Sequence, residues 1–417
     1  MNDSLHPAFN DRIRFLTELG RRLHLAGVSA SRLEGAVRSV GLAIGVRCEI
    51  WSTPTGLLIS LSDASLPQGT QETRVLRLDP GEVHLGALVK LDVIAEQVVA
   101  ETLTLDAAWD AMHALDVPTT TKQQVAAVAA FGLAAASVAG LLRTGWIDIA
   151  VAGVIGLIIG WIAMLAGSRP HLSAAFEAVA AIIATTLATT FAHFIAPLSL
   201  QTVIVAALIV LMPGLSLTTA VAELASQQLV TGTTRFAGAM TVLLKLTFGS
   251  VAAAQLMLAL GWTPMSGIPE ALPPQVEIVA TVAAALSFAV LFRASRRDVP
   301  LVMASAILGY VLTRLGSAWF GNAAGGTFAG AVFFSSLVMA ALSNLYGRVV
   351  NRPGALVRVP GIMLLVPGSV GFRALAFVME RDYALGFDTL VAVLSAILAL
   401  VAGLLFGSLL IPPRRYL

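Results

Sequence analysis

The sequence predicts an all-α polytopic membrane protein: about ten transmembrane helices in two inverted five-helix repeats, with a small α+β cytoplasmic N-terminal domain. Three observations carry this. Of the 417 residues, 57% are hydrophobic and only 12% charged, with a mean hydropathy of +0.85; soluble domains carry about a quarter charged residues. The charges are segregated: residues 1–122 hold 11 Lys/Arg and 15 Asp/Glu, the other 295 residues only 15 and 9. Pro-Gly interrupts a long apolar run twice, at Pro213-Gly214 and Pro367-Gly368, 154 residues apart.

The head comes first. Phe9, Ile13, Leu16, Leu19, Leu23 and Leu25 recur at helical spacing over 9–26, and Gly27 ends that helix. A second helix follows, with Ser31 and Glu34 spaced as a capping box. RCEIWSTPTGLLISLSD reads as two strands around Pro-Thr-Gly, and TRVLRLDPG as a third. Residues 84–101 and 105–115 read as helices. His24, His84 and His113 lack ligand spacing and read as structural. MNDSLHPAFNDRIRF has no apolar core, so no signal peptide is expected. A single cysteine, Cys48, excludes an intrachain disulfide and a cysteine metal cluster. Neither a Walker loop nor HExxH occurs, so no cofactor, metal, nucleic acid or enzymatic role is expected.

Ten stretches are long enough to cross about 30 Å of hydrocarbon: 125–142, 146–166, 173–195, 198–214, 236–261, 274–293, 299–316, 325–346, 358–379 and 387–411. Domain boundaries follow at 1–122, 123–262 and 263–417. With the head inside, the inner loops and C-terminus carry ten arginines and the outer loops three, Arg143, Arg314 and Arg381. This places the chain in a plasma (inner) membrane with both termini cytoplasmic. Five spans per half is an odd number, so the second half runs inverted to the first. The Pro-Gly pair falls in the fourth span of each half. Paired interruptions in inverted halves point to a transporter's binding site; the bland alternative is two packing kinks.

The stretch PGLSLTTAVAELASQQLVTGTTRFAGAM at 213–240 resembles the signature of the threonine/serine exporter family. LGRRLHLAGVSASRLE in the head is similar to that family's cytoplasmic region, and VPGIMLLVPG at 359–368 to its smaller closing domain. The resemblance covers nearly the whole chain. It implies a secondary exporter of threonine and serine driven by protons. Separate-chain relatives resemble a dicarboxylate (succinate) exporter, which remains the alternative cargo class. A receptor or scaffold without transport is the other rival. The head would gate, dock a partner or assemble a homo-oligomer.

Candidate substrate-binding residues are Pro213, Gly214, Thr218, Thr219, Glu223, Pro367, Gly368 and Arg373. The breaks free backbone groups, and N–H groups at a helix start suit a carboxylate. Thr218 and Thr219 sit where that helix begins, or are plain caps. Glu223 would bind an ammonium or a proton, or lie solvated on a loop helix. Glu177, Glu223 and Lys245 are candidates for proton coupling or ion pairing, since intramembrane charge demands a partner. Arg373 would grip a carboxylate with its two-pronged donor. Arg235 reads as an inner-side anchor or a functional cation, and His193 as structural. The acids at 270, 277, 380, 382 and 388 are expected at the outer side, solvated.

Overall fold

The apolar periodicities become sixteen α-helices and three strands in the computed structural model, which describes residues 6–63, 71–116, 118–167, 169–265, 267, 272–320, 327–365 and 368–413. In the head, α1 (His6–Leu25) and α2 (Ala30–Ala43) precede β1 (Val46–Thr53), β2 (Gly56–Asp63) and β3 (Gln71–Arg77). The strands form one antiparallel sheet in the order β1-β2-β3, with Ile50 opposite Ile59. Then come α3 (Leu85–Val99) and α4 (Leu105–His113). Alternation in β1 sends Val46, Cys48 and Ile50 inward, onto Ile13, Leu16 and Leu19 of α1 and Leu33 and Val37 of α2. Gly27 ends the first helical stretch at φ +73; a Cβ there would meet the Glu82 carbonyl carbon at 2.7 Å.

The expected capping box does not form. Ser29, not Ser31, precedes α2, and it makes no side-chain cap. Glu34 instead accepts from the Ser52 amide at 2.9 Å and from Gln228 at 3.3 Å. His24, His84 and His113 each have a partner within the head. His24 Nε2 lies 3.1 Å from the Asp79 carbonyl oxygen, His84 Nδ1 accepts from Ala87 N at 3.0 Å, and His113 Nδ1 lies 2.9 Å from the Trp109 carbonyl oxygen.

The body follows as α5 (Thr121–Leu141), α6 (Trp146–Ala166), α7 (Pro170–Phe194), α8 (Leu200–Ala207), α9 (Gly214–Ala225) and α10 (Leu229–Ala259). Its second part is α11 (Pro274–Leu291), α12 (Val299–Phe320), α13 (Thr327–Val350), α14 (Ala355–Met363), α15 (Gly368–Met379) and α16 (Tyr383–Leu410). Among the described residues nine candidates are long and apolar enough to cross a membrane, Ala355–Met379 being one of them. The bent pair Leu200–Ala207 and Ile209–Ala225, turning by 54°, makes ten if it is a single broken span. The expected span 198–214 takes in the first limb of that bent pair, and α9 lies beyond it.

Small residues let helix backbones approach closely, as membrane packing favours. A Cβ on Gly249 of α10 would meet the Ala178 carbonyl oxygen of α7 at 2.6 Å. A Cβ on Gly403 of α16 would meet the Phe333 carbonyl oxygen of α13 at 2.5 Å. The head is seated on one end of this body. Leu85 N and Gly86 N donate to the carbonyls of Phe292 and Arg293 at the end of α11, at 3.0 and 3.2 Å. Phe288 and Phe292 of that region, with Leu356 of α14, join the head's own core cluster. At the opposite end Arg143, just after α5, bonds Glu277 of α11 at 2.6 Å.

Candidate functional site

The first break is built from proline chemistry. After α8 a short 3-10 turn, Ile209–Leu211, carries the chain to Pro213, which has no N–H to extend a helix. Gly214 N turns back to the Met212 carbonyl at 2.8 Å, and Leu217 N reaches the Pro213 carbonyl at 2.9 Å. Among the described residues no acceptor meets the amides of Leu215 and Ser216. They are the orphan donors that every helix start leaves.

The second break lies beside the first. A Cβ on Gly368, the first residue of α15, would lie 3.2 Å from Gly214 Cα, the first residue of α9, and 3.4 Å from Met212 Cβ. The starts of two twelve-residue helices thus abut, and a Cβ at 368 would need its neighbours to give by a few tenths of an ångström. Pro367 lies outside the described residues. Around this junction Leu217, Val221, Val370, Val393 and Ile397 form one cluster joining α9, α15 and α16.

The polar residues separate into groups. Thr218 and Thr219 bond back to the carbonyls of Gly214 and Leu215, at 3.1 and 2.9 Å. Those hydroxyls satisfy their own helix rather than capping its start. Arg373, a turn and a half into α15, has a fully buried Nε with no partner among the described residues. Lys245 reaches Glu177 at 3.4 Å and the Ala174 carbonyl at 2.9 Å, tying α10 to α7. Of the candidate carboxylates Glu177 and Glu223, Lys245 meets Glu177.

Glu223 stands at the head. It is 2% exposed, and its Oε2 accepts from Arg235 Nε at 3.0 Å. Its Oε1 accepts from Arg235 Nη2 at 3.4 Å and from the Ala30 amide of α2 at 3.1 Å. Beside it Thr231 donates to the Ser52 carbonyl at 2.7 Å. Burial raises the pKa of nearby Glu34 against the bonds from Ser52 and Gln228, and the Glu223 charge adds to the rise.

Several groups carry no signal in the sequence. Asp148 accepts from Ser199 N at 3.1 Å, before α8 begins. Glu277, expected to be solvated, holds Arg143, the Tyr310 hydroxyl at 2.8 Å and Arg314 at 3.4 Å. The hydroxyls of Thr185, Thr189 and Ser250 are buried without a partner among the described residues. His193 Nδ1 lies 2.9 Å from the Thr263 carbonyl oxygen.

Comparison with known proteins agrees with this architecture. Pheromone-regulated membrane protein 10 of Saccharomyces cerevisiae is 24% identical over 346 residues, covering 81% of this chain and 44% of that protein. The proteins of the same name from Zygosaccharomyces rouxii and Debaryomyces hansenii are 24% and 25% identical. Those matches cover 81% and 62% of this chain, and 34% and 25% of theirs. The chain thus spans less than half the length of these relatives. No solved structure matches it. Residues 14–257 match the family described as putative threonine/serine exporter, and residues 277–410 the family described as threonine/serine exporter, ThrE. With the two models together taking in both the head and the broken-helix body, the chain belongs to the threonine/serine exporter family.

Proposed function

We propose that the chain is a secondary active exporter of threonine and serine, coupled to protons, working by alternating access around the two breaks. The abutment of α9 and α15 at Gly214 and Gly368 carries this reading. Helix starts present free N–H groups and positive dipole ends, which suit a carboxylate. Helix ends present carbonyls, which suit an ammonium, and α8 ends within a few residues of the same break. A small zwitterion matches both. Gly214, Gly368 and Arg373 are assigned to the carboxylate side, with Pro213 and Pro367 keeping the backbone open and Thr218 and Thr219 shaping the wall.

Inverted halves support the alternation. The 154-residue offset relates α9 to α15, the start of α10 to that of α16, and Gly249 to Gly403. α5 leaves the head, and its far end meets α11 at Arg143 and Glu277. α11 then returns to the head at Phe292. Equivalent helices therefore run in opposite directions. We assign proton coupling to Glu177, whose bond to Lys245 is long, and leave Glu223 as the acid that links body and head. The arginine bias supports a head on the cytoplasmic side of the plasma membrane.

A dicarboxylate cargo is the second reading, favoured by one observation. Glu177 and Glu223 are already held by cations, whereas Arg373 Nε has no partner among the described residues. Uptake of labelled threonine and succinate into inverted vesicles, with and without a pH gradient, separates the two. Threonine accumulation that ignores the gradient removes proton coupling; succinate without threonine removes the amino acid reading.

A further inference from the structure

The seam between head and body contains cations that the site at the breaks does not use. Arg32 lies in the first turn of α2, two residues after Ala30, whose amide is fastened to Glu223 of α9. Arg358 lies one turn into α14, the limb that precedes the second break. Both are part-buried. Neither has a hydrogen bond or ion pair to an acid among the described residues. This sets them apart from their neighbours, because Arg22 is held by Glu18 and Asp116, Arg235 by Glu223 and Arg352 by Asp298.

The residues flanking the two arginines belong to one seam. Ala355 and Leu356 of α14 share a hydrophobic cluster with Leu33 and Val37 of α2. Leu215, in the first turn of α9, packs against the cluster of Val357 and Ile362. The first turn of α2 thus meets α9 at Glu223, and its apolar side belongs to the same cluster as the first turn of α14. Burial pushes the Arg32 pKa down, and the Arg358 charge adds to that fall. Two like charges in a poorly hydrated seam repel each other, and a bound anion would relieve both. From Arg358 to Met363, the end of α14, is five residues, roughly 7.5 Å of helix. The pair thus stands between the head and the break.

We propose that Arg32 and Arg358 form an entry site for the carboxylate of the cargo, with the head supplying one of the two cations. This rests on the transport reading above. Planar guanidiniums bind carboxylates bidentately, and two of them set at a mouth would concentrate an anionic group before it reaches the helix starts. The seam would then be part of the transport path, and the head would contribute a ligand as well as a contact.

The test is equilibrium binding to the purified full-length chain in phosphatidylcholine vesicles, with L-threonine, L-threonine methyl ester and succinate as probes. The parent should bind threonine at least about tenfold more tightly than the ester, which lacks the carboxylate. Arg32→Gln and Arg358→Gln should each weaken threonine binding about tenfold or more and leave the ester unchanged. Arg32→Lys should recover part of the loss. Without probe, Arg32→Gln should melt no lower than the parent, because it removes a like-charge contact; a purely structural arginine would lower the melting temperature. Threonine binding unchanged in both glutamine variants would overturn the proposal. So would an arginine effect seen only when phosphatidylglycerol is added, which would make the pair a lipid headgroup site. Succinate binding that needs both arginines, without threonine binding, would keep the entry site and reject the amino acid cargo. No binding of either acid would reject the site.

Discussion

Replacing Glu223 by Gln tests where this carboxylate does its work. The side chain is 2% exposed and accepts three N–H bonds, from Arg235 at 3.0 and 3.4 Å and from Ala30 at 3.1 Å. Glutamine keeps the shape and one acceptor oxygen. It loses the charge and turns an NH2 group toward other donors. Removing one partner of a buried ion pair costs about 3–5 kcal/mol. Arg235 keeps 21% exposure and can draw in water, so the expected loss here is about 2–3 kcal/mol. The double variant Glu223→Gln/Arg235→Gln should recover about 1 kcal/mol or more of it, since no buried charge is then left alone.

Denaturation in mixed micelles measures this loss, and hydrogen exchange at Ala30 measures the head contact separately. The Ala30 amide should exchange roughly 30-fold faster in Glu223→Ala than in the parent, the equivalent of about 2 kcal/mol of local opening. Suppose instead that Glu223→Gln keeps parental stability and Ala30 protection while gradient-driven transport disappears. The carboxylate would then be a transport group and the contact with α2 incidental.

Gly309→Ala should destabilise the body by about 3 kcal/mol or more in the same denaturation assay, because its Cβ would collide with the Gly361 backbone carbonyl on α14. Gly238→Ala, with nothing within 4 Å, should be neutral or stabilising by up to about 1 kcal/mol; equal losses in the two would refute the packing of α12 on α14. Cys48 is 1% exposed, and burial pushes its thiol up to about 12, so it should stay unlabelled by maleimide at neutral pH. Thr263→Cys should then label only from outside intact cells and Arg296→Cys only after permeabilisation, and the reverse pattern would overturn the topology. At Asp298 burial raises the carboxyl pKa, but the Arg352 and Ser295 bonds outweigh it and hold it below the ordinary 3.8. A depressed carboxyl stabilises the fold above its unfolded pKa and loses that effect as pH falls through the folded one. Asp298→Asn should therefore flatten the stability loss that begins near about pH 4, measured as melting temperature against pH.

Much of the body was legible because membrane spans are written in composition, and length against bilayer thickness decides them. The breaks were legible because Pro-Gly is a local signal with a local consequence. What failed were partnerships across long sequence separations. Ser31 and Glu34 have the spacing of a capping box, but Glu34 is claimed by Ser52 and by Gln228, 194 residues away. Glu277 looked solvated by position, yet Arg143 lies 134 residues earlier in the chain and 2.6 Å away. Glu223 was legible as a charge that needed a partner. Nothing in a linear pattern could name the Ala30 amide as one of its donors. A run of apolar residues does not reveal that a helix restarts after Pro213 and runs on to Ala225.

One consequence of α9 ties the two regions together. The helix is twelve residues long, about 18 Å, and starts at the break with Gly214 against Gly368. Near its other end Glu223 holds the first turn of α2. Between those ends Leu217 and Val221 pack in a continuous apolar cluster, with no glycine or proline after Gly214 to absorb bending. A rigid rod hinged at proline moves at both ends together. Any rearrangement that reshapes the junction of α9 and α15 must therefore shift Glu223 relative to Ala30, or carry the head with it. The bonds at Glu223, Thr231 and Gln228 resist the first course, since three side chains would have to let go at once. The head, though it lies outside the apolar body, is mechanically joined to the place where the helices break.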